Sequence, residues 1–196
     1  MNTQLKKNRV TILVIFAMTI IPFGIAWFFA GNPDKIKLGT NNGDLLTPPL
    51  TTELTDFSGY DAFSAENIAE LKGHWILINP VRQAQCEKAC QEGLYKTQQI
   101  TLMMGKDIAR IRRLALIFNQ DHQPLPKQWQ DDARLLKAVP SAALKDTLKG
   151  IEGGAEPGGL LIMDPLGNLM MKYGPGYDPY QVRNDLSKLL RISQIG

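Results

Sequence analysis

From Val10 to Ala30 the chain runs 21 positions without a charged side chain. A helix rises about 1.5 Å per residue, so this run spans about 31 Å, the thickness of a bilayer's hydrocarbon core. Pro22 and Gly24 interrupt the run, and membrane-spanning helices tolerate both. Trp27, Phe28 and Phe29 stand at its far end, where aromatic rings favour the membrane–water interface. Lys6, Lys7 and Arg9 flank the near end, and positive charge is retained on the cytoplasmic side. These features predict a single-pass anchor in a bacterial inner membrane. Residues 1–9 form a cytoplasmic N-terminus, residues 10–30 the transmembrane helix, and the rest faces the periplasm. The competing reading is a cleaved signal peptide, which needs a small residue three positions before the cut. For a cut after Ala30 that position is the bulky Phe28.

The charge balance supports the same topology. The chain of 196 residues has 22 Lys+Arg against 19 Asp+Glu, a net charge of +3. Three of the basic residues precede position 33 and no acid does, which leaves 19 of each sign in the remainder. The excess belongs to the membrane flank, so a nucleic-acid partner is not expected. A content of 44% hydrophobic and 21% charged residues excludes wholesale disorder. Two cysteines are too few for a disulfide scaffold or a four-thiolate zinc site.

Residues 31–53 are rich in Gly, Pro, Asn and Thr and read as a linker, with residues 54–196 as the folded domain. Leu54–Phe57 is at most a weak strand, and Ala65–Leu71 a short helix ended by Gly73. Trp75–Ile78 and Leu114–Phe118 are apolar runs of buried-strand type. Between them, Ala89, Cys90, Leu94, Thr97, Ile100 and Met104 recur at helical spacing over residues 85–104. Trp129–Ala138 and Ser141–Lys149 read as two short helices split at Pro140. Leu160–Met163 and Leu169–Tyr173, joined by Asp164-Pro165-Leu166-Gly167-Asn168, form a hairpin. Pro179–Ile192 is a final amphipathic helix. Two strands joined through a helix are parallel neighbours, while a hairpin is antiparallel. The fold class is therefore α/β, a thioredoxin-like mixed sheet flanked by helices, behind one N-terminal transmembrane helix.

Cys86 and Cys90 follow the first predicted strand directly. A spacing of four puts both thiols on one face of a helix, with Cα atoms about 6 Å apart, within reach of a disulfide. The same pair can hold a soft ion such as Cu(I). A place at a helix start favours the thiolate. The residues leave three readings open: redox pair, metal ligands, or an inert structural pair.

This arrangement resembles the Sco/SenC family, membrane-anchored thioredoxin-fold proteins that help assemble the copper centre of cytochrome c oxidase. The resemblance rests on Cys86-x-x-x-Cys90 after a strand, on Gly105-Lys106-Asp107-Ile108-Ala109-Arg110-Ile111 before the next, and on Leu160–Tyr173 with its Asp164-Pro165-Leu166-Gly167 turn. It covers residues 70–192. It implies thiol–disulfide exchange or copper delivery, with Cys86 and Cys90 as catalytic residues or Cu(I) ligands. The implied partners are cytochrome c oxidase subunits or assembly factors. Two family positions differ. Glu87 stands where the family has proline, and Glu156 stands near the place of the family's histidine ligand. Pro157 suggests instead the cis-proline that thioredoxins hold before this strand, since cis bonds are essentially confined to X-Pro.

His74 and His122 read as ordinary strand-start and loop residues, with His122 near the cysteine end of the sheet. Met103, Met104, Met163, Met170 and Met171 fall at core spacings. Glu87 and Lys88 lie between the cysteines, and Arg110, Arg112 and Arg113 form a solvated face suited to docking. In the redox reading Cys86 attacks and Cys90 resolves. The alternative is a non-catalytic interaction module of a membrane complex, its Cys86–Cys90 disulfide static.

Overall fold

A computed structural model describes residues 3–32, 41–82, 86–118, 125–151 and 153–193. The chain divides into two units, residues 1–40 and 41–196. In the first, helix α1 runs Thr3–Ala30. Within its stretch Lys6–Ala30 an 18-residue window has a mean hydropathy of 2.4, and none of that window is buried in the protein. Among the described residues it is the one helix long and apolar enough to cross a membrane.

The second unit is built on strands β1 (Asp44–Thr51), β2 (Phe57–Gly59), β3 (Trp75–Val81), β4 (Ile111–Ile117), β5 (Leu135–Pro140), β6 (Leu160–Met163) and β7 (Asn168–Tyr173). Its helices are α2 (Ala62–Asn67), α3 (Lys88–Met103), α4 (Lys127–Gln130), α5 (Ala142–Lys149) and α6 (Pro179–Ile192). The strands form one mixed sheet in the order β1-β7-β6-β3-β4-β5-β2. β3 and β4 are parallel and in register from Trp75 opposite Ile111 to Val81 opposite Ile117. β6 and β7 form the antiparallel hairpin.

All seven residues of β3 are buried, as a central strand covered on both faces requires. Its side chains alternate between two cores. Ile76 and Ile78 join Leu114, Leu116, Leu144 and Leu148 on the α5 face. Trp75 and Leu77 join Ile100, Val182, Leu186 and Leu190 on the face covered by α3 and α6. The methionines are core residues: Met163 lies in the first cluster, Met104 and Met171 in the second.

Two elements differ from the sequence expectation. Trp129–Ala138 is not a helix: α4 stops at Gln130 and Leu135–Pro140 is a strand, with Leu135–Ala138 pairing in parallel with Arg113–Leu116. Lys137, in the middle of this strand, is 3% exposed, and its ammonium pairs with Asp61 at 3.0 Å. A short apolar run carries too few residues to separate period 2 from period 3.6. Within the expected linker, Asp44–Thr51 is strand β1, paired antiparallel with β7 through a register shift between Leu45 and Leu50. Pro48 and Pro49 lie in that irregular stretch, and prolines are admitted at sheet edges and bulges.

The chain just before β1 is fixed by one carboxylate. Asp185 of α6 has a side chain 1% exposed and accepts from the backbone N–H groups of Asn42 and Gly43, the Asn42 side-chain amide and the Tyr173 hydroxyl. Burial pushes this carboxyl up, but the hydrogen bonds from Asn42, Gly43, Tyr173 and Lys188 outweigh it and hold the group below the ordinary carboxylate range. A depressed carboxylate stabilises the fold above its unfolded pKa of about 4 and loses that contribution as pH falls through the lower folded value. Asp185→Ala leaves these donors without an acceptor and is expected to cost about 3 kcal/mol at pH 7. Urea unfolding at pH 7 and pH 3 checks this, the difference between variant and parent shrinking at the lower pH.

Candidate functional site

β3 ends at Val81, and the chain returns through Cys86 and Glu87 into α3. Cys86 and Cys90 form a disulfide, with Cα atoms 5.2 Å apart. The bridge is not carried on one helical face. Glu87 is the N-cap of α3, with φ −67° and ψ 179°, so this extended residue takes Cys86 out of the helix that holds Cys90. The sulfurs link the incoming chain to the first helical turn. Glu87 makes no side-chain capping bond, while the Gln91 amide donates to the Cys86 carbonyl at 2.8 Å.

The disulfide sits in a third cluster with Val81, Leu94, Ala115, Ile117, Trp129 and Leu135. Cys86 is 6% and Cys90 4% exposed, so exposure does not rank them as nucleophiles. Position does. Cys86 lies at the open N-terminus of a 16-residue helix, where free N–H groups favour a thiolate.

A buried polar group beneath the helix holds the site together. The Thr97 hydroxyl donates to Asn79 Oδ1 at 2.7 Å, and Asn79 Nδ2 donates to the Gly159 carbonyl at 3.4 Å. The Tyr177 hydroxyl donates to the Gly93 carbonyl at 3.3 Å, and burial pushes its pKa up. Asn79 thus ties β3 to α3 and to the loop before β6. The apolar run Trp75–Ile78 reads as closed before Asn79, yet β3 continues to Val81 and so buries the amide.

Pro157 is not a cis-proline. Among the described residues the cis bond is Thr47–Pro48, and Glu156–Pro157 is trans. The approach to the helix is made by glycine instead. Gly158 has φ +82°, and a Cβ there would lie 2.9 Å from the Ala89 carbonyl oxygen and 3.2 Å from the Ala89 Cβ. The loop touches the disulfide helix closely because one residue lacks a side chain and adopts a left-handed backbone.

His74 lies at the opposite end of β3 from Cys86, about 20 Å away at strand rise, with Nδ1 2.9 Å from the Glu70 carbonyl oxygen. His122 lies outside the described residues. Glu156 is exposed. Among the described residues no three His, Cys, Asp or Glu side chains gather as a metal cluster. Toward copper the described donors stop at two sulfurs, here bonded to each other, so the three-ligand set of the resemblance is not assembled from them. The arginines are not a solvated face: Arg112 pairs with Glu70, and Arg113 is 2% exposed and pairs with Asp132.

A family model described as a transmembrane-like, thioredoxin-like, C-terminal domain matches residues 75–193. The chain belongs to this family. The matched span starts at β3 and closes just beyond α6, so it contains the disulfide, Asn79 and the Gly158 loop. Apo Sco1 from Thermus thermophilus has the same fold, with a TM-score of 0.55 and 15% identity over 79% of this chain and 99% of that one. A SCO1/SenC family lipoprotein from Bacillus anthracis aligns with a TM-score of 0.49 and 14% identity, over 74% and 99% of the two chains. Yeast Sco1 with copper bound gives 0.49 and 15%, over 63% and 82%. No curated protein matches the chain.

Gly158→Ala tests the close approach. It forces a Cβ into the Ala89 backbone and a side chain into a left-handed conformation, and is expected to destabilise the domain by about 2 kcal/mol or more. Chemical denaturation measures the loss. The backbone amide NMR signals of Ala89 to Gly93 are expected to shift more than those of α5.

Proposed function

We propose that this chain is a membrane-anchored thiol–disulfide exchange protein of the bacterial inner membrane, its domain in the periplasm. It acts on a cysteine-bearing protein during assembly of a copper-containing respiratory oxidase such as cytochrome c oxidase. The observation that carries the reading is the Cys86–Cys90 disulfide at the start of α3, directly after the central strand. The periplasm is a compartment in which such a bond forms and persists.

In the reduced protein the Cys86 thiolate attacks one sulfur of the partner's disulfide and expels the other as a thiolate. Cys90 then attacks Cys86 Sγ and releases the partner's second thiolate. Two electrons pass to the partner, and Cys86–Cys90 closes to the oxidised state described above. The helix N-terminus favours the attacking thiolate, and the short Cα separation favours the resolving step. Copper delivery is the second form of this reading. Reduced Cys86 and Cys90 offer Cu(I) two soft ligands.

A static-disulfide interaction module is the competing reading, favoured by the burial of both sulfurs. The reduction potential separates them. Exchange predicts a value above about −300 mV, and a lower one marks a structural bridge. Cys90→Ser is expected to accumulate a mixed disulfide with the partner through Cys86, whereas Cys86→Ser accumulates none. For the topology, protease added to spheroplasts is expected to degrade residues beyond the anchor. Full protection in intact spheroplasts and digestion only after lysis sinks the periplasmic placement.

A further inference from the structure

At the disulfide end of the sheet, on the face covered by α5, a cavity of about 200 Å³ is lined by Arg82, Phe118, Ala142, Lys145, Asp146 and Lys149. Arg82 directly follows β3 and Phe118 directly follows β4, while the other four share one face of α5. The Arg82 guanidinium lies over the Phe118 ring, 4.9 Å from its centroid, and this contact holds it at the strand end. Its Nε is enclosed, so a ligand reaches only the terminal nitrogens. Lys149 is matched by Asp146. Arg82 and Lys145 are both half-buried, and neither pairs with a carboxylate among the described residues. Two cations from different elements thus line one concavity without a counter-charge of their own. The volume falls below that of a whole small-molecule site and suits a single side chain.

We propose that this cavity receives a glutamate side chain of the cysteine-bearing partner protein, an inference that rests on the thiol-exchange reading above. The carboxylate sits between Arg82 and Lys145, and its methylenes lie against Phe118 and Ala142. Arg82 precedes Cys86 by four positions, so their Cα atoms lie within about 14 Å of each other. An extended segment covers that distance in about four residues, which places the glutamate about four positions from the partner's cysteine. A lipid headgroup is the other anionic occupant to weigh. Basic lipid-binding clusters gather about four or more cations, whereas this lining leaves Arg82 and Lys145 alone uncompensated.

The test uses the oxidised full chain in nanodiscs of zwitterionic lipid, with alanine methyl groups labelled for NMR. The probe is a short cysteine-free peptide with blocked termini and one glutamate, and its control carries glutamine instead. Neither peptide can exchange disulfides, so a failure to bind is separate from a failure of thiol exchange, which the reduction potential tests. The glutamate peptide is expected to give a saturable shift at the Ala142 methyl, with the glutamine peptide about tenfold weaker because it makes no charge-assisted bonds. Lys145→Gln is expected to weaken the glutamate peptide about fivefold, the effect of one charge at contact distance in water, and Lys145→Arg to retain most of the affinity. The Lys145 ammonium makes no ion pair among the described residues, so neither variant removes a salt bridge of the fold. Nanodiscs containing phosphatidylglycerol, without peptide, are expected to leave the Ala142 methyl unmoved. The proposal is overturned by any of four results: no saturable shift at Ala142 up to about 10 mM peptide, equal affinity for the glutamine peptide, an unchanged affinity in Lys145→Gln, or a shift with phosphatidylglycerol alone that Lys145→Gln abolishes, which assigns the cavity to lipid.

Discussion

The seven-residue parallel register between β3 and β4 is the constraint on which the rest of the domain depends. A strand buried on both faces has no freedom to slip, because a one-residue shift would exchange the contents of two cores. With Trp75 fixed opposite Ile111 and Val81 opposite Ile117, both ends of the strand pair have assigned tasks. At the C-terminal end the chain turns through Cys86 into α3. At the N-terminal end Arg112 and Arg113 enter the sheet, one pairing toward Glu70 and the other toward Asp132.

The disulfide region shows how few polar groups are needed to join three elements. Asn79 is a single buried amide, yet through Thr97 and Gly159 it connects the central strand, the disulfide helix and the loop before β6. Gly158 allows that loop to meet the helix backbone without an intervening side chain. The segment preceding β1 is fixed in a similar way by Asp185. In each case a buried polar side chain is tolerated because its hydrogen-bonding capacity is met, and that requirement makes the local geometry specific.

Much of the core was legible from periodicity. Trp75–Ile78, Leu114–Ile117 and the Leu160–Tyr173 hairpin read as strands because apolar runs bounded by turn residues have few other uses. α3, α5 and α6 were legible from their spacing. Trp129–Ala138 read as one helix because so short a run does not separate the two periods, and the strand Leu135–Pro140 is defined by its pairing with β4 and by Asp61, which meets the buried Lys137. β1 was hidden for a related reason. Pro48 and Pro49 suggest a linker, and nothing local shows that β7 offers an edge to pair with. Arg113 read as a surface cation because its partner, Asp132, belongs to another element.

The sequence by itself determined the elements that depend on local chemistry. An uncharged run as long as a bilayer is thick specifies one apolar helix long enough to cross a membrane. Two cysteines four apart at a strand-to-helix junction specify a bridgeable pair. The tertiary structure decided what depends on partners distant in sequence. It placed Cys86 ahead of the helix and Cys90 within it, brought Gly158, the residue after the expected cis-proline Pro157, against the disulfide helix, and gave two arginines of an apparent surface patch carboxylate partners on distant segments. Side-chain burial and hydrogen-bond satisfaction are properties of the assembled sheet, and no window of sequence contains both halves of such a contact.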